Sequence, residues 1–245
     1  MQLPLPVTLP IDENFDSFVE VGNEEVVAVL QNVVAALPNW RQHSGLGHLA
    51  SLKLPLVTLL GVSAIGKCHL LFATCHQLAK HKVSHLYLNM NNYQAWSHHI
   101  FDGLEDLSLI ALDNIHAIAG NDRWEEALFD LFNRVIETQQ ALIVCTSQLG
   151  PSNPAFTLPD LRSRLAWGVI YHVNQLDEAG REEAVRLRAN ERGLKLSNQA
   201  LQFLLHHSER DLKSLMALLG RLDTRSLQEQ KRLSVAMVKR ELGLS

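Results

Sequence analysis

The sequence predicts an α/β protein: a doubly wound domain built on a five-stranded parallel sheet, followed by a small all-α domain. Three observations lead there. A glycine-bearing loop, Gly61-Val-Ser-Ala-Ile-Gly-Lys-Cys68, sits between the apolar run 54–60 and a helical pattern over 69–79. Four more short apolar runs alternate with amphipathic stretches as far as Val173. After Gln175 the strand-like runs stop and only helical periodicity continues.

Taken in order, residues 1–10 hold three prolines and no charge, which excludes a helix interior because proline lacks the amide donor. They form either a disordered leader or an extended peptide offering Gln2 as a polar anchor and Leu3 and Leu5 as apolar plugs to a groove. Residues 11–22 read as an irregular lead-in folding back on the core. From Asn23, a candidate N-cap, the spacing of Val26, Val27, Leu30, Val33, Val34 and Leu37 predicts a helix ending before Pro38. Residues 39–53 read as a loop or insertion. The first strand and the glycine loop follow, then the 69–79 helix, a short strand at 84–89 and a weak helical region over 93–104.

The run Leu107-Ser-Leu-Ile-Ala-Leu-Asp113 predicts a buried parallel strand with a carboxylate at its C-terminal edge, where ligands gather in open α/β sheets. A helix over 124–137, a strand over 141–146 ending in Ser147 and Gln148, a short helix bearing Arg162 and Arg164, and a strand over 168–173 complete the first domain. Helices are then predicted at 177–192, 197–206, 210–222 and 231–242, with Asp177 and Ser197 as caps and a polar interruption at 223–230. The domain bounds predicted are 1–10 for the leader, 11–175 for the α/β base and 176–245 for the helical domain.

Composition narrows the function classes. Three cysteines without metal-ligand spacing point away from a disulfide framework and toward a reducing, cytoplasmic setting. No apolar run approaches the roughly 20 residues that cross a bilayer, and the N-terminus lacks a signal-peptide pattern. Residues 1–175 hold 9 Lys and Arg against 16 Asp and Glu, whereas residues 176–245 hold 13 against 10. So mild a basic excess provides no dense stripe for nucleic acid. Twelve histidines invite a metal reading, but His98-His99 and His206-His207 are adjacent pairs that cannot share a helix face. His81 and His85 lack partner ligands, so no protein-only metal site is expected.

The glycine loop carries the chemistry. In the pattern G-x-x-x-x-G-K-[ST], glycines let amides curl around phosphates, the lysine neutralises them and the hydroxyl ligates Mg²⁺. Gly61, Gly66 and Lys67 satisfy the pattern, with Val62, Ser63, Ala64 and Ile65 between them; Cys68 replaces the hydroxyl. A thiol is a poor ligand for so hard a cation. Nucleotide binding is therefore expected and efficient hydrolysis is not.

The loop, the acid Asp113, the polar strand end and the helical tail, in this order, resemble an AAA+ nucleotide-binding module. Within that superfamily the chain is similar to the DnaA-related family, and most of all to its short Hda-type regulatory members. The likeness rests on Gln2-Leu-Pro-Leu-Pro6, Leu109-Ile-Ala-Leu-Asp-Asn-Ile115, Ala117-Ile-Ala-Gly120, Trp124-Glu-Glu-Ala-Leu-Phe-Asp-Leu-Phe-Asn-Arg134, 158–168 and 210–222.

The resemblance implies that Asp113 is the acid that holds Mg²⁺ through water, and that Asn114 stands where active ATPases carry the water-polarising acid. It makes Ser147 either the sensor of the terminal phosphate or a strand-end turn former. Arg210 becomes the lid arginine that reaches the nucleotide. Arg164 becomes an arginine finger acting on a phosphate bound by another subunit, with Arg162 out of register. Residues 2–6 become a peptide that docks on the DNA sliding clamp.

The implied function is a regulator that binds the clamp, holds ADP in its own site with Mg²⁺ optional, and stimulates hydrolysis of ATP bound to DnaA. A self-sufficient ATPase or loader-like motor is the alternative, as is a nucleotide-free clamp-binding adaptor. Head-to-tail self-association is an option that AAA+ modules share. Direct sequence-specific DNA binding is not expected, since nothing after Ser245 corresponds to the DNA-binding domain of DnaA.

Overall fold

A computed structural model describes residues 9–10, 12–42, 54–194, 196–207, 212–229 and 233–244. They divide into two compact units, one containing residues 23–173 and the other residues 16–22 and 174–244. Gln2, Leu3, Leu5 and Arg210 lie outside the described residues.

The first unit is organised by five strands, β1 (Leu56–Leu60), β2 (His85–Asn89), β3 (Leu109–Asp113), β4 (Leu142–Ser147) and β5 (Val169–His172). All pairings are parallel, in the order β2-β3-β4-β1-β5. β3 and β4 are buried along their whole length and β1 nearly so. That is why they read as unbroken apolar runs: a parallel strand covered on both faces has no polar side. Register places Leu60 beside Ser147 and His172, and Asn89 beside Asp113, so the polar strand ends share one edge of the sheet.

Among the described residues, four α-helices accompany the strands: α1 (Glu24–Ala36), α2 (Lys67–Lys80), α3 (Asp122–Thr138) and α4 (Pro159–Ala166). Asn121 starts α3 by accepting from the Trp124 amide. The buried face of α3, with Trp124, Leu128, Leu131, Phe132 and Val135, packs in one core with Leu161 and Leu165 of α4. Fully burying side chains of this size contributes about 2 kcal/mol each, so α3 and α4 are held as a pair.

One expectation for this unit is corrected and the start of another stretch is described. The 39–53 loop begins with a 3₁₀ turn, Trp40–Gln42, whose indole is buried and donates from Nε1 to Gln140 O at 3.1 Å. Residues 43–53, with the glycines and histidines on which the loop reading rests, lie outside the described residues. The weak helical region at 93–104 is a run of three 3₁₀ segments, Met90–Ala95, His98–Phe101 and Leu104–Asp106. Asn89 and Ser97 side chains initiate the first two by local capping, which competes with a continuous α-helix.

The second unit contains α5 (Glu178–Glu191), α6 (Asn198–His207), α7 (Leu212–Glu229) and α8 (Val235–Glu241). Val185, Leu201, Leu204, Leu215, Leu219, Leu222, Met237 and Val238 form its core. Asp177 caps α5 through the Gly180 amide at 2.7 Å, Ser197 accepts from the Ala200 amide, and Ser234 caps α8. The break expected at 223–230 is not found over 223–229, where α7 continues to Glu229; Gln230 lies outside the described residues. Its polar last turns carry ion pairs: Arg221 and Arg225 both reach Glu241, and Glu229 meets Arg240. Among the described residues no helix is long and apolar enough to cross a membrane.

Candidate functional site

The glycine loop leaves β1 tied to β4, with the Gly61 amide donating to Ser147 O at 3.2 Å. Gly61 has no room for a side chain: a Cβ there would come 2.3 Å from Ile65 Cδ1 and 3.0 Å from Val173 O. Ile65 is the buried peg of the loop, while Val62 and Ser63 are exposed at its rim. Ala64 and Gly66 take the left-handed conformation, with φ of 62° and 99°. Such local reversals of handedness turn successive amides into a concave anion nest. Gly66 is also the N-cap residue of the 14-residue α2, whose N-terminus adds partial positive charge.

Lys67 lies inside this cradle. Its Nζ donates to Gly61 O at 2.8 Å and to Val62 O at 2.5 Å. Burial pushes its pKa down, whereas neighbouring Cys68 and Asp113 push it up. The carbonyls hold the ammonium where a phosphate would take their place.

Beneath the loop, Asp113 is fully buried. Its Oδ2 accepts from the Tyr87 hydroxyl at 2.7 Å and its Oδ1 from the Thr146 hydroxyl. Thr146 Oγ1 in turn accepts from the Asn114 amide at 2.8 Å. Parallel register explains the meeting: Cys145 pairs with Leu112, which sets Thr146 level with Asp113, and Tyr87 lies two residues before Asn89, the partner of Asp113 on β2. Burial, reinforced by the Asp113 carboxylate, pushes the Cys68 thiol up to about 12. Burial, reinforced by Asp113, likewise raises the Tyr87 phenol. Both stay protonated, and the phenol donates to Asp113.

Asn114 has a left-handed backbone, φ 59°, and its side-chain amide donates to Asn89 Oδ1 at 3.2 Å. An amide cannot accept a proton from attacking water. The Ser147 hydroxyl donates to Leu149 O at 2.7 Å and accepts from the Leu149 amide at 3.0 Å, so it is engaged in the strand-end turn. Nearby, His116 contacts Gln148, with Nε2 2.9 Å from the Gln148 side-chain nitrogen. Burial and the Lys67 charge push the His116 imidazole down, against the pull of Asp113. Sequence reasoning missed Tyr87, Thr146 and His116, and noted Gln148 only as part of a polar strand end. The polar ends of β2 and β4 were the available signal, but strand pairing was needed to bring them to Asp113.

The nest, Lys67 and the start of α2 suit a phosphate. The same donor set does not suit Mg²⁺, for which sequence reasoning left a route through Asp113. That carboxylate is closed off from solvent with both oxygens engaged, and position 68 offers sulfur where the cation prefers oxygen.

A second feature lies on α3 and α4. Glu125, fully buried, accepts from the amides of Gly120 at 2.7 Å, Thr157 at 3.0 Å and Leu158 at 2.7 Å. Leu158 is the N-cap residue of α4, and Pro159 occupies its first turn. One carboxylate thus fixes where α4 begins. On α4, Arg164 donates from Nε to Asn133 Oδ1 at 3.1 Å, and its guanidinium lies 4.1 Å from the Trp167 ring centroid and 5.5 Å from that of Phe129. Arg162 is half-buried on the same helix. The contacts of Arg164 are on α3 and just past α4, whereas those of Lys67 and Asp113 are at the ends of β1 to β4.

A parallel sheet of this order, with a phosphate loop after β1 and an acid after β3, followed by a helical unit, defines an AAA+ P-loop module with a lid. Residues 11–172 match the family model of the bacterial DnaA ATPase domain, and residues 177–242 match that of the Hda lid domain. The chain belongs to the bacterial DnaA ATPase-domain family and is an Hda/DnaA-related AAA+ protein.

Solved structures carry the same fold. Domain III of the replication initiation protein DnaA from Thermotoga maritima superposes with a TM-score of 0.77 at 16% identity, covering 96% of this chain and 97% of that one. AMPPCP-bound DnaA from Aquifex aeolicus gives 0.69 at 20% identity, covering 90% and 68%. The RuvB Holliday junction branch migration motor of Thermotoga maritima gives 0.65 at 18% identity, covering 96% and 72%.

Proposed function

We propose that the chain is a regulator of replication initiation that docks on the DNA sliding clamp and stimulates hydrolysis of ATP bound to DnaA, with ADP held in its own site. The observation that carries the reading is the contrast between two places. The nucleotide site has a phosphate cradle but lacks both the magnesium-facing hydroxyl and the water-polarising acid, having Cys68 and Asn114 instead. An arginine, Arg164, is meanwhile held apart on α4 by Asn133 and two aromatic rings. A site able to bind and poorly equipped to hydrolyse, beside an arginine suited to another subunit's phosphate, fits catalysis in trans.

The family supports the rest. The DnaA and Hda-lid likeness makes DnaA the natural partner, by the head-to-tail contact through which AAA+ modules meet, and self-association would use the same faces. An AMPPCP-bound DnaA of the same fold supports nucleotide in the cradle formed by residues 61–68. Arg210 would close on it from the lid, Ser147 would lie at its edge, and Gln2, Leu3 and Leu5 would enter the clamp groove. The site of action is cytoplasmic. A self-sufficient motor is disfavoured by Asn114 and Cys68.

The test compares nucleotide turnover by the purified chain alone with turnover of ATP preloaded on DnaA, with clamp on DNA. The reading predicts negligible turnover alone and marked stimulation on DnaA. Robust turnover by the chain alone, with none gained by DnaA, would replace it with the motor.

A further inference from the structure

We propose that the chain's own site binds a nucleoside diphosphate without a divalent cation, because Asp113 is fully buried with Tyr87 and Thr146 bonded to its oxygens, and Cys68 stands in the metal-facing position. The inference rests on the nucleotide reading of the phosphate loop and concerns how that site neutralises its ligand.

An octahedral Mg²⁺ needs oxygen ligands at about 2.1 Å and gives up its waters reluctantly. A carboxylate that serves it through water must therefore present a free lone pair to solvent. Asp113 does not. It is fully buried, and hydroxyls approach both of its oxygens from two different neighbouring strands.

Neither hydroxyl is easily withdrawn. The Tyr87 ring is buried and packs against Phe72, with ring centroids 4.9 Å apart, so the phenol cannot turn out to water. Thr146 is committed on its other side, where its oxygen accepts from the Asn114 amide. Bringing a metal-bound water to Asp113, which is fully buried, would require these packed side chains to part. In the first turn of α2, Cys68 offers a soft sulfur where the motif has a hydroxyl.

Positive charge for a diphosphate is nonetheless present. Lys67 Nζ is parked on the Gly61 and Val62 carbonyls, 2.8 and 2.5 Å away, and can exchange them for phosphate oxygens. The nest at Ala64 and Gly66 and the start of α2 supply amides. Neutralisation thus comes from the chain itself.

The experiment is calorimetric titration of the intact chain with ADP, once with millimolar Mg²⁺ and once with EDTA. The two dissociation constants are expected to agree within about threefold. Weakening by tenfold or more in EDTA would overturn the inference and leave the nucleotide reading standing; absence of binding in both would overturn the two together. Mn²⁺ with ADP offers an independent readout, since a protein-bound Mn²⁺ signal in electron paramagnetic resonance would contradict the proposal. In the Cys68→Ser, Tyr87→Phe double variant, Mg²⁺ is expected to tighten ADP by about tenfold; a cation-indifferent, folded variant would overturn the assignment to these two residues.

Discussion

Glu125 and the three cysteines are the residues whose environments make the sharpest demands. Glu125 is a buried carboxylate satisfied by three backbone amides, and no cation is needed to explain it. Replacing it with alanine strands those amides, so Glu125→Ala is expected to lower the unfolding free energy by about 3 kcal/mol in urea titration; a loss below about 1 kcal/mol would mean that solvent reaches them. Cys75 and Cys145 are fully buried and Cys68 half-buried, and burial raises all three thiols to about 12. Since the thiolate is the reactive form, the native chain at pH 8 should release chromophore from a disulfide reagent at least about a hundredfold more slowly than the denatured chain. A single fast native thiol would contradict the closed packing around Asp113. At this scale the sequence revealed the residues defined by motif, Gly61, Gly66, Lys67 and Asp113. It did not reveal Tyr87 or Thr146, which acquire meaning only when register lays three strand ends side by side.

At the scale of elements, the buried strands were legible because burial on both faces leaves an unbroken apolar run, and α3 because its apolar positions recur with helical period. The 3₁₀ segments over 90–106 were not, since local capping by Asn89 and Ser97 imposes no long period. The end of α7 was misread for a different reason: residues 223–229 are polar because they carry the ion-paired outer turns, and a polar run mimics a linker. Thr224 lies inside that stretch, its hydroxyl bonded to Gly220 O at 3.2 Å. Thr224→Pro should therefore cost about 3 kcal/mol of helical-unit stability, as a proline in any helix interior does, and be visible as a lowered thermal midpoint. An unchanged midpoint would restore the linker. Further along the chain, Asp177 and Ser234 show that caps were partly readable in advance, one foreseen from its position and the other found only with α8 in view.

For the whole molecule, one chain combines a phosphate cradle whose acid is closed off with an arginine presented on a separately anchored helix. On the proposed reading the two features would divide binding from catalysis: the chain's own loop would hold a ligand, and Arg164 would act on a phosphate of another subunit. Fold and family were legible from the order of motifs along the chain, whereas the proposed division of labour rests on where Asp113 and Arg164 find their partners. The most direct test is single-turnover hydrolysis of ATP on DnaA, in the presence of clamp loaded on DNA, by wild type and by Arg164→Ala with ADP binding verified as intact. The account predicts that the variant loses stimulation by about 10³-fold, the scale of a missing arginine finger. Equal rates for the two proteins would contradict it.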